Sequence, residues 1–494
     1  MGRTFVLFAL ASVVACSEGA SAPAPPADPS TGVTSRNDTI AIAVNPANVG
    51  PIIPSNFIGL SWEAQYSILQ PGFRRNPTPL VNVMKAIGTG VVRIGGSSID
   101  RTWWSPGGRE PGQVFIGADF DSLSKVVTAA NWTVVLGVNF AAALPDTFAA
   151  EAAFIKQHLG SRLAAIELGN EPDIYAGPPG GSGGLRPATY NFAAYAKELD
   201  AYLAAFQQRA PGVPIAAPST SYDTAWLRQT IAHAPSRFVL ATQHRYSLLE
   251  EPGIPASNFR YPTITNLMSD TLLKDDLAFD KAAAAAGSAQ GVPVRLDEWG
   301  PGDIGVVREV SNTFASSLWA LDHTFAAAEA GLAGVNFSMA LIDVGAGTPF
   351  YFKALDGTFT PLPQLYGILA FQDAARGRIL NVTPTSKRRW NVSAHGSVDA
   401  TAGTVRLALV NKDTASLSVR IVVPSAASAT VRRLAASSPT APFRDSTGVT
   451  YAGAAVSTSG TFAPATSESI TPVANTLVIN VPFASAAIVI VTTK

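Results

Sequence analysis

The sequence has very little cysteine and no excess of charge of either sign. Cys16 is the only cysteine in 494 residues, which excludes a disulfide bond within the chain. Lys plus Arg and Asp plus Glu each number 35, so the formal net charge at pH 7 is zero. The sequence therefore lacks the broad basic field that nucleic acid or a highly sulfated polymer requires, and we expect no nucleic-acid partner.

Signals for a metal or phosphate site are also missing from the sequence. The histidines are scattered at positions 158, 233, 244, 323 and 395 without metal-ligand spacing, which argues against structural zinc. The glycine-rich run GPPGGSGG (177–184) has no Lys-Ser/Thr pair after it, so we interpret it as a loop and not as a phosphate-binding turn. We expect no metal ion and no organic cofactor.

The apolar run at the N-terminus is too short to span a bilayer. It extends from Thr4 to Ala15, follows Arg3 and leads into VVACSEG. Residues 1–16 resemble a bacterial lipoprotein signal with lipidation at Cys16; the alternative is an ordinary secretory signal with a chance cysteine. The Pro/Ala/Ser-rich stretch 17–37 predicts an extended tether. We expect an exported lipoprotein, anchored to a membrane and facing the periplasm or the cell exterior.

The pattern of apolar runs predicts the fold class. From Phe57 onward, short apolar runs alternate with helical patterns, as in a parallel sheet with crossover helices. The predicted strands are 56–63, 90–96, 132–140, 163–171, 213–219, 237–246, 292–300 and 333–341. This count predicts an α/β protein with a (β/α)8 TIM barrel over residues 53–376.

The pattern of apolar residues changes after residue 376, where helical patterns give way to alternation. Segments such as TVRLALVNKD and LSVRIVVPS alternate apolar and polar residues between Gly, Ser, Asn and Asp turns. Residues 377–494 are therefore a predicted antiparallel β-sandwich domain. The early alternating run DTIAIAVNP lies before the barrel, and we expect a strand within 38–52 to join the same sandwich.

Polar residues cluster where the predicted barrel strands end. Catalytic groups of such barrels project from the C-terminal ends of the strands. The candidates at these ends are Glu63, Arg93, Asp100, Asn139, Asn170, Glu171, His244, Tyr246 and Glu298. Glu171 and Glu298, on the fourth and seventh strands, are expected to face each other across the barrel mouth.

Facing carboxylates suit the cleavage of a glycosidic bond. One carboxylic acid protonates the leaving oxygen while a second carboxylate attacks the anomeric carbon. We interpret Glu171 as the proton donor; the alternative is that it caps the following helix or pairs with an arginine. The second carboxylate must stay ionised, and Arg93 and Tyr246 are placed to donate hydrogen bonds to it.

Three neighbouring residues are given other roles. Glu167 lies four residues before Glu171 on the same strand, deeper in the barrel, and is expected to be a buried, paired residue. Asp297 precedes Glu298 and should point to the opposite side of its strand, with a structural role. A two-carboxylate mechanism needs no histidine base, so we expect His244 to position Glu298 or a sugar hydroxyl.

Longer motifs add a resemblance to a known family. RIGGSSIDRTWW, IELGNEPDIY, RLDEWG and PLPQLYGILAFQDAARGRI together resemble glycoside hydrolase family 79, which contains β-glucuronidases and heparanases. The resemblance implies a retaining TIM-barrel enzyme with a β-sandwich domain. It implies that Glu171 is the acid/base, that Glu298 is the nucleophile and that Asn170 binds the sugar 2-hydroxyl.

The same resemblance implies further contacts with the substrate. Tyr246 would donate a hydrogen bond to the nucleophile, and Glu63 and Asp100 would lie near the sugar-binding end of the pocket. In the family, a loop after the eighth strand binds the uronate. Here that loop is DVGAGTPFYF, where Gly345 and Gly347 would offer amides and Tyr351 a hydroxyl.

These observations predict a retaining β-glucuronidase that acts on a glucuronide-containing glycan or glycoside. A retaining enzyme of the same clan acting on a neutral sugar is one alternative, and an endo-acting heparanase-like activity is another. A non-catalytic surface protein that binds carbohydrate is a third. The oligomeric state is open.

Overall fold

The computed structural model describes residues 39–67, 71–108, 114–249, 253–302, 308–339, 347–353, 357–386 and 389–494. The predicted signal with Cys16, the predicted tether, and Gly345 lie outside the described residues. Across the described ranges, none of the helices combines the length and the apolar character needed to cross a membrane.

Strands and helices alternate through the first three quarters of the chain. The strands are β1 (Thr39–Ala43), β2 (Val49–Ile52), β3 (Ile58–Glu63), β4 (Val91–Gly95), β5 (Trp103–Trp104), β6 (Val114–Phe115), β7 (Thr133–Val138), β8 (Leu163–Leu168), β9 (Ile215–Thr220), β10 (Leu240–Leu248), β11 (Val294–Gly302), β12 (Gly334–Ser338), β13 (Phe350–Phe352) and β14 (Phe359–Pro361). The helices are α1 (Ala64–Ser67), α2 (Pro71–Arg74), α3 (Pro77–Ile87), α4 (Gly117–Ala130), α5 (Pro145–Leu159), α6 (Phe192–Arg209), α7 (Thr224–His233), α8 (Ile264–Leu267), α9 (Asp270–Ser288), α10 (Arg308–Ser311), α11 (Phe314–Ala330) and α12 (Pro363–Ala374).

Eight of these strands form a closed parallel barrel, which confirms the predicted TIM barrel. The order around the barrel is β3, β4, β7, β8, β9, β10, β11 and β12, and β12 pairs with β3 to close it. Every residue of β4 is buried, because one face of the strand points into the barrel and the other packs under helices. Since all eight strands run in one direction, their C-terminal ends meet at one mouth.

The run SNTFASSLWALDHTF predicts an N-cap at Ser311 and one apolar stripe through Phe314, Leu318, Leu321 and Phe325. Helix α11, which this run forms, differs from that prediction in two ways. Ser311 does not cap it, because Ser311 ends the separate short helix α10 and Thr313 occupies the N-cap position. The helix is buried along nearly its whole circumference, although one apolar stripe was predicted. The cause is its position: it packs against α9 and α12 on the barrel side, and its polar residues contact the β-sandwich.

The remaining strands form sheets beside the barrel whose pairs are antiparallel, except that β1 pairs with β18 in parallel. They are β15 (Arg378–Leu380), β16 (Val392–Asp399), β17 (Thr404–Asn411), β18 (Leu417–Val422), β19 (Ala426–Ala435), β20 (Thr450–Tyr451), β21 (Glu468–Ile470), β22 (Thr476–Val481) and β23 (Ser485–Thr493). One sheet has the order β2-β15-β16-β17-β23-β19-β20, and β1-β18-β22 forms a second sheet. Thus β1 and β2, which precede the barrel in sequence, pair with strands that follow it.

Buried charges join the barrel to the sandwich. Asp322 on α11 accepts hydrogen bonds from Lys412 at 2.6 Å and Ser393 at 3.0 Å, and lies 2.7 Å from His395 Nε2. His395 Nδ1 lies 2.8 Å from Glu329 of the same helix. Burial lowers the pKa of His395, but the two carboxylates outweigh it and raise that pKa to about 9.

Candidate active site

The barrel mouth brings together the side chains predicted from the strand ends. Glu171 follows β8, Glu298 lies on β11, and His244 lies on β10 between them. His244 Nδ1 is 3.0 Å from Glu171 Oε1, and His244 Nε2 is 3.8 Å from Glu298 Oε2. The two carboxylates therefore contact opposite edges of a single imidazole ring. Both keep some solvent exposure, 18% for Glu171 and 14% for Glu298.

Arg93 is the central cation of this site. Its side chain is buried and donates hydrogen bonds to Glu298 Oε2 at 2.8 Å, Glu167 Oε2 at 2.9 Å and Asn170 Oδ1 at 2.7 Å. Burial lowers the pKa of Arg93, but the surrounding carboxylates raise it well above its ordinary value. Arg93 is therefore a fixed positive charge that links β4, β8 and β11.

Two glycines make room for these charged groups. A Cβ on Gly95 would lie 2.5 Å from the Arg93 guanidinium carbon. A Cβ on Gly96 would overlap the Glu63 carboxylate, and the backbone there has φ +73°, which favours glycine. The GG of the RIGG motif thus allows Arg93 and Glu63 to lie against the backbone.

Glu298 is held in the ionised form. Tyr246 donates to its Oε1 at 2.6 Å, while Arg93 donates to its Oε2. Burial raises the pKa of Glu298, but His244, Arg93 and the Tyr246 hydroxyl outweigh it and lower that pKa below its ordinary value. These are the properties that a carboxylate nucleophile requires.

Glu171 is presented by a constrained turn. Its backbone has φ +52°, a left-handed conformation that is uncommon outside glycine, and its N–H donates to Ser219 O at 2.8 Å. Although Glu171 stands at the N-cap position of the short turn Pro172–Ile174, its side chain makes no capping hydrogen bond. His244 orients Oε1, and no described residue makes a hydrogen bond to Oε2.

His244 is part of the carboxylate network. Burial lowers its pKa, but Glu298, Glu171 and Asp297 outweigh this effect and raise that pKa to about 10. The ring is therefore a cation at neutral pH. The expectation that His244 positions Glu298 is incomplete, because the shortest carboxylate contact of the ring is with Glu171.

Asp297 contradicts the alternation expected along its strand. Instead of pointing away from Glu298, its carboxylate lies 3.3 Å from Arg93 Nε, inside the barrel. The pairing with β10 explains this position: Gln243 pairs with Leu296, but His244 pairs with Glu298. Asp297 is thus the extra residue of a β-bulge, which turns two successive side chains inward.

Asp100 and Asn139 are engaged by hydrogen bonds to neighbouring loops. Both are buried. Asp100 accepts hydrogen bonds from the N–H groups of Phe140, Ala141 and Asn170 and from a tyrosine hydroxyl. Asn139 donates to Thr102 O at 3.3 Å and accepts from Ala142 N–H at 2.8 Å. These side chains therefore hold the loops around the site.

Glu63 lies near Glu298 but is engaged by a loop. It accepts hydrogen bonds from the N–H groups of Ser97 and Ser98 and from the Ser98 hydroxyl. Burial and the charge of Glu298 raise the pKa of Glu63, although Ser98 and Arg93 lower it in part.

Two of the three residues predicted to bind the uronate lie within the described residues. Gly347 is buried, and its N–H donates to Asn312 Oδ1 at 3.1 Å, so it is not free for an anion. Tyr351 is half-buried on the hairpin of β13 and β14, and no described contact joins it to the two carboxylates. Gly345 lies outside the described residues.

Some residues of the site were not predicted. Ser219 Oγ accepts from Arg93 at 3.0 Å and lies 2.9 Å from His244 Nε2. Ser182, from the glycine-rich loop, is buried and accepts from Asn170 Nδ2 at 3.0 Å. Ser219 ends the predicted fifth strand, so the rule that identified the other residues also applies to it. Ser182 lies in a long loop, and nothing in its spacing indicates the contact.

The described ranges contain no group of three or more His, Cys, Asp or Glu side chains suited to a metal ion. The cations at the centre of the site are instead Arg93 and His244. The arrangement can stabilise one carboxylate as an anion and orient a second one toward the same opening.

Comparisons with known proteins show which solved structures share this fold. No protein-family model matches the chain. No curated protein sequence matches it either. Among solved structures, a 4-O-α-L-rhamnosyl-β-D-glucuronidase from Fusarium oxysporum, in complex with Rha-GlcA, is similar with a TM-score of 0.73 and 18% identity, over 91% of this chain and 99% of that chain. A GH51 arabinofuranosidase and a GH39 enzyme, both from Xanthomonas axonopodis pv. citri, have TM-scores of 0.66 and 0.58.

The latter two structures are 14% and 13% identical to this chain; they cover 92% and 94% of it, and 100% and 99% of their own lengths. At this level of identity the similarity concerns the fold. The protein is a closed (β/α)8 barrel with antiparallel β-sheets beside it, consistent with a β-sandwich domain.

Proposed function

We propose that the protein is a retaining β-glycosidase, with Glu171 as acid/base and Glu298 as nucleophile. The observation that carries the proposal is the shared contact of both carboxylates with His244 at the barrel mouth. Arg93 and Tyr246 keep Glu298 ionised, whereas one oxygen of Glu171 has no donor among the described residues. The fold that this chain shares with a glucuronidase and arabinofuranosidases supports the proposal.

In the first step, Glu298 attacks the anomeric carbon while the bond to the leaving oxygen breaks. The proton of Glu171 passes to that oxygen, and protonated His244 stabilises the new Glu171 carboxylate through its Nδ1–H. In the second step, Glu171 takes a proton from water, which displaces Glu298 and releases the sugar with its configuration retained. Asn170, fixed by Arg93, is the group we assign to the sugar 2-hydroxyl.

We propose β-glucuronic acid as the sugar, with support from the motif resemblance and the similar Fusarium glucuronidase. A neutral sugar is the second candidate, because the Gly347 amide is already bonded to Asn312. Turnover of 4-nitrophenyl β-glucuronide beside the β-xyloside and β-galactoside distinguishes them. The uronate assignment fails if only the neutral glycosides are cleaved.

A fluorinated inactivator tests the nucleophile directly. A 2-deoxy-2-fluoro glycosyl fluoride of the accepted sugar should label one peptide, and mass spectrometry should place the sugar on Glu298. Glu298→Gln should abolish both labelling and turnover while the unfolding transition is kept. Labelling of another carboxylate would reassign the nucleophile, and a protein that binds sugars without labelling or turnover would be a binding protein.

The acid/base role is tested by leaving-group dependence. Glu171→Ala should slow glycosides with poor leaving groups far more than activated aryl glycosides, because activated leaving groups need little protonation. Azide should restore turnover of activated substrates and give a glycosyl azide of retained configuration. Equal losses on both substrate types would contradict the assignment.

A further inference from the structure

A second pair of carboxylates lies beneath the proposed catalytic pair. Glu167 on β8 and Asp297 on β11 both have 0% exposure. Neither can reach a substrate, and the proposed mechanism uses neither. Both nevertheless contact Arg93, the residue that donates to Glu298 and Asn170.

The hydrogen bonds around Arg93 do not satisfy two anions. Arg93 Nε carries one hydrogen, which is bonded to Glu167 Oε2 at 2.9 Å. Asp297 Oδ2 lies 3.3 Å from the same nitrogen, so it competes for a hydrogen that is already used. The terminal nitrogens of Arg93 are bonded to Glu298, Asn170 and serine hydroxyls.

The contacts that remain for Asp297 are weak. The Ser219 hydroxyl donates to its Oδ2 at 3.4 Å, and His244 Nε2 lies 3.7 Å from its Oδ1. Glu167 Oε1 and Asp297 Oδ1 are buried without a hydrogen-bond donor when both groups are ionised. A buried anion without donors is costly. The two carboxyl groups lie within hydrogen-bonding distance of each other, so one added proton lets one carboxyl group donate to the other.

We propose that Glu167 and Asp297 share one proton, carried by Asp297, and that this singly charged pair positions Arg93 for its contacts with Glu298 and Asn170. The O–H of Asp297 donates to Glu167, and Glu167 remains the anion that accepts from Arg93. Both are positioning residues that act through Arg93. The proton stays in place during turnover, so no bond to the substrate involves it.

The surrounding charges agree with this distribution. The pair faces Arg93 from β4, His244 from β10 and Glu298 from β11, with Arg295 lower on β11 and Glu171 beyond His244. Burial and the charge of Glu167 raise the pKa of Asp297 well above its ordinary range, whereas Arg93 outweighs burial and lowers the pKa of Glu167. When Asp297 is neutral, the anions Glu167 and Glu298 lie beside the cations Arg93 and His244.

Infrared spectroscopy tests the shared proton without turnover. The carbonyl stretch of a neutral carboxylic acid should be present at pH 7 and should disappear in Asp297→Asn. Glu167→Gln should remove the same band, because Arg93 then favours ionised Asp297. Glu151→Gln is the control, since burial raises the pKa of that unrelated carboxyl to about 8 and its band is a different one. The proposal is overturned if neither site variant removes a band.

Kinetics test the positioning role, and this part depends on the proposed function. Asp297→Ala and Glu167→Gln should each lower kcat by roughly 100-fold, because Arg93 loses its fixed position. Asp297→Asn should recover most of the loss of Asp297→Ala, since an amide N–H replaces the O–H donor. Equal losses for Asn and Ala would contradict the positioning role. A protein that cleaves no glycoside but shows the infrared band would refute only the function.

Discussion

Tyr246→Phe is the most direct test of how the site keeps Glu298 ionised. The substitution removes one O–H, which donates to Glu298 Oε1 at 2.6 Å, and leaves the ring in its buried position. A hydrogen bond to a charged group contributes about 1.5–3 kcal/mol. Because one pKa unit corresponds to about 1.4 kcal/mol, the pKa of Glu298 should rise by about 1–2 units.

The sign of the effect on activity follows from the direction of the native shift. The native pKa of Glu298 is lowered, so the nucleophile stays ionised at pH values at which an ordinary glutamate would begin to take up a proton. Removing the Tyr246 donor raises this pKa, and the acid limb of kcat/KM against pH should move to higher pH by about the same 1–2 units. The assay is initial-rate kinetics on an activated aryl glycoside across the acid range.

A matched control exists in the β-sandwich. Tyr451 donates to Asp373 Oδ2 at the same 2.6 Å, but it lies outside the site. Tyr451→Phe makes the same chemical change, so it should lower the free energy of unfolding without moving the acid limb. If the limb of Tyr246→Phe coincides with that of the wild type, then the Tyr246 hydroxyl does not control the ionisation of Glu298.

Three further predictions concern the supports of the site and the domain junction. Gly96→Ala should lower activity and cost at least about 1–3 kcal/mol in chemical denaturation, because the new Cβ overlaps Glu63 at a positive φ; normal stability and activity would refute this. Asp100→Asn should slow all glycosides by one common factor, whereas a changed ranking of sugars would show direct contact. The charge of His395 should contribute about 3 kcal/mol to the free energy of unfolding, and this contribution should be lost as pH rises from about 6.5 to about 9, because the raised pKa of His395 stabilises the fold only while the ring is charged. His395→Gln should flatten this decline, and an unchanged slope would contradict the assignment.

Much of the fold could be predicted because the barrel strands are short apolar runs between helices. All eight predicted barrel strands exist, and β8 begins at the predicted residue, Leu163. The positions of Glu171 and Glu298 at the mouth follow from the same alternation, since parallel strands end on one side. The burial of α11 could not be predicted, because it depends on a sandwich that packs on its outer face.

The environment of each polar residue was harder to predict than its location. Asp100 was predicted at the mouth like Glu298, yet it lies in the short turn Ile99–Arg101 after β4, where three backbone N–H groups and a hydroxyl surround it. Those donors come from the loops after β7 and β8, and loop conformation is not encoded by apolar spacing. Local sequence therefore identified which carboxylates are near the mouth, but not which are engaged by the protein.

The bulge at Asp297 shows why one failed local rule matters for the whole site. A regular strand would place Glu298 inward and Asp297 outward, among the barrel helices, and Arg93 would then face one fewer acidic group. The bulge brings both acids inward at different depths, so that the upper one meets solvent and the lower one meets Glu167. A neutral Asp297 makes this arrangement tolerable, because the five N–H groups of Arg93 are already bonded to Glu167, Glu298, Asn170 and two serine hydroxyls, and none is left for an ionised Asp297. The bulge and the shared proton therefore serve the same purpose. Together they let Glu167 and Asp297 hold Arg93 from inside the barrel while Arg93 stabilises the Glu298 anion at the mouth.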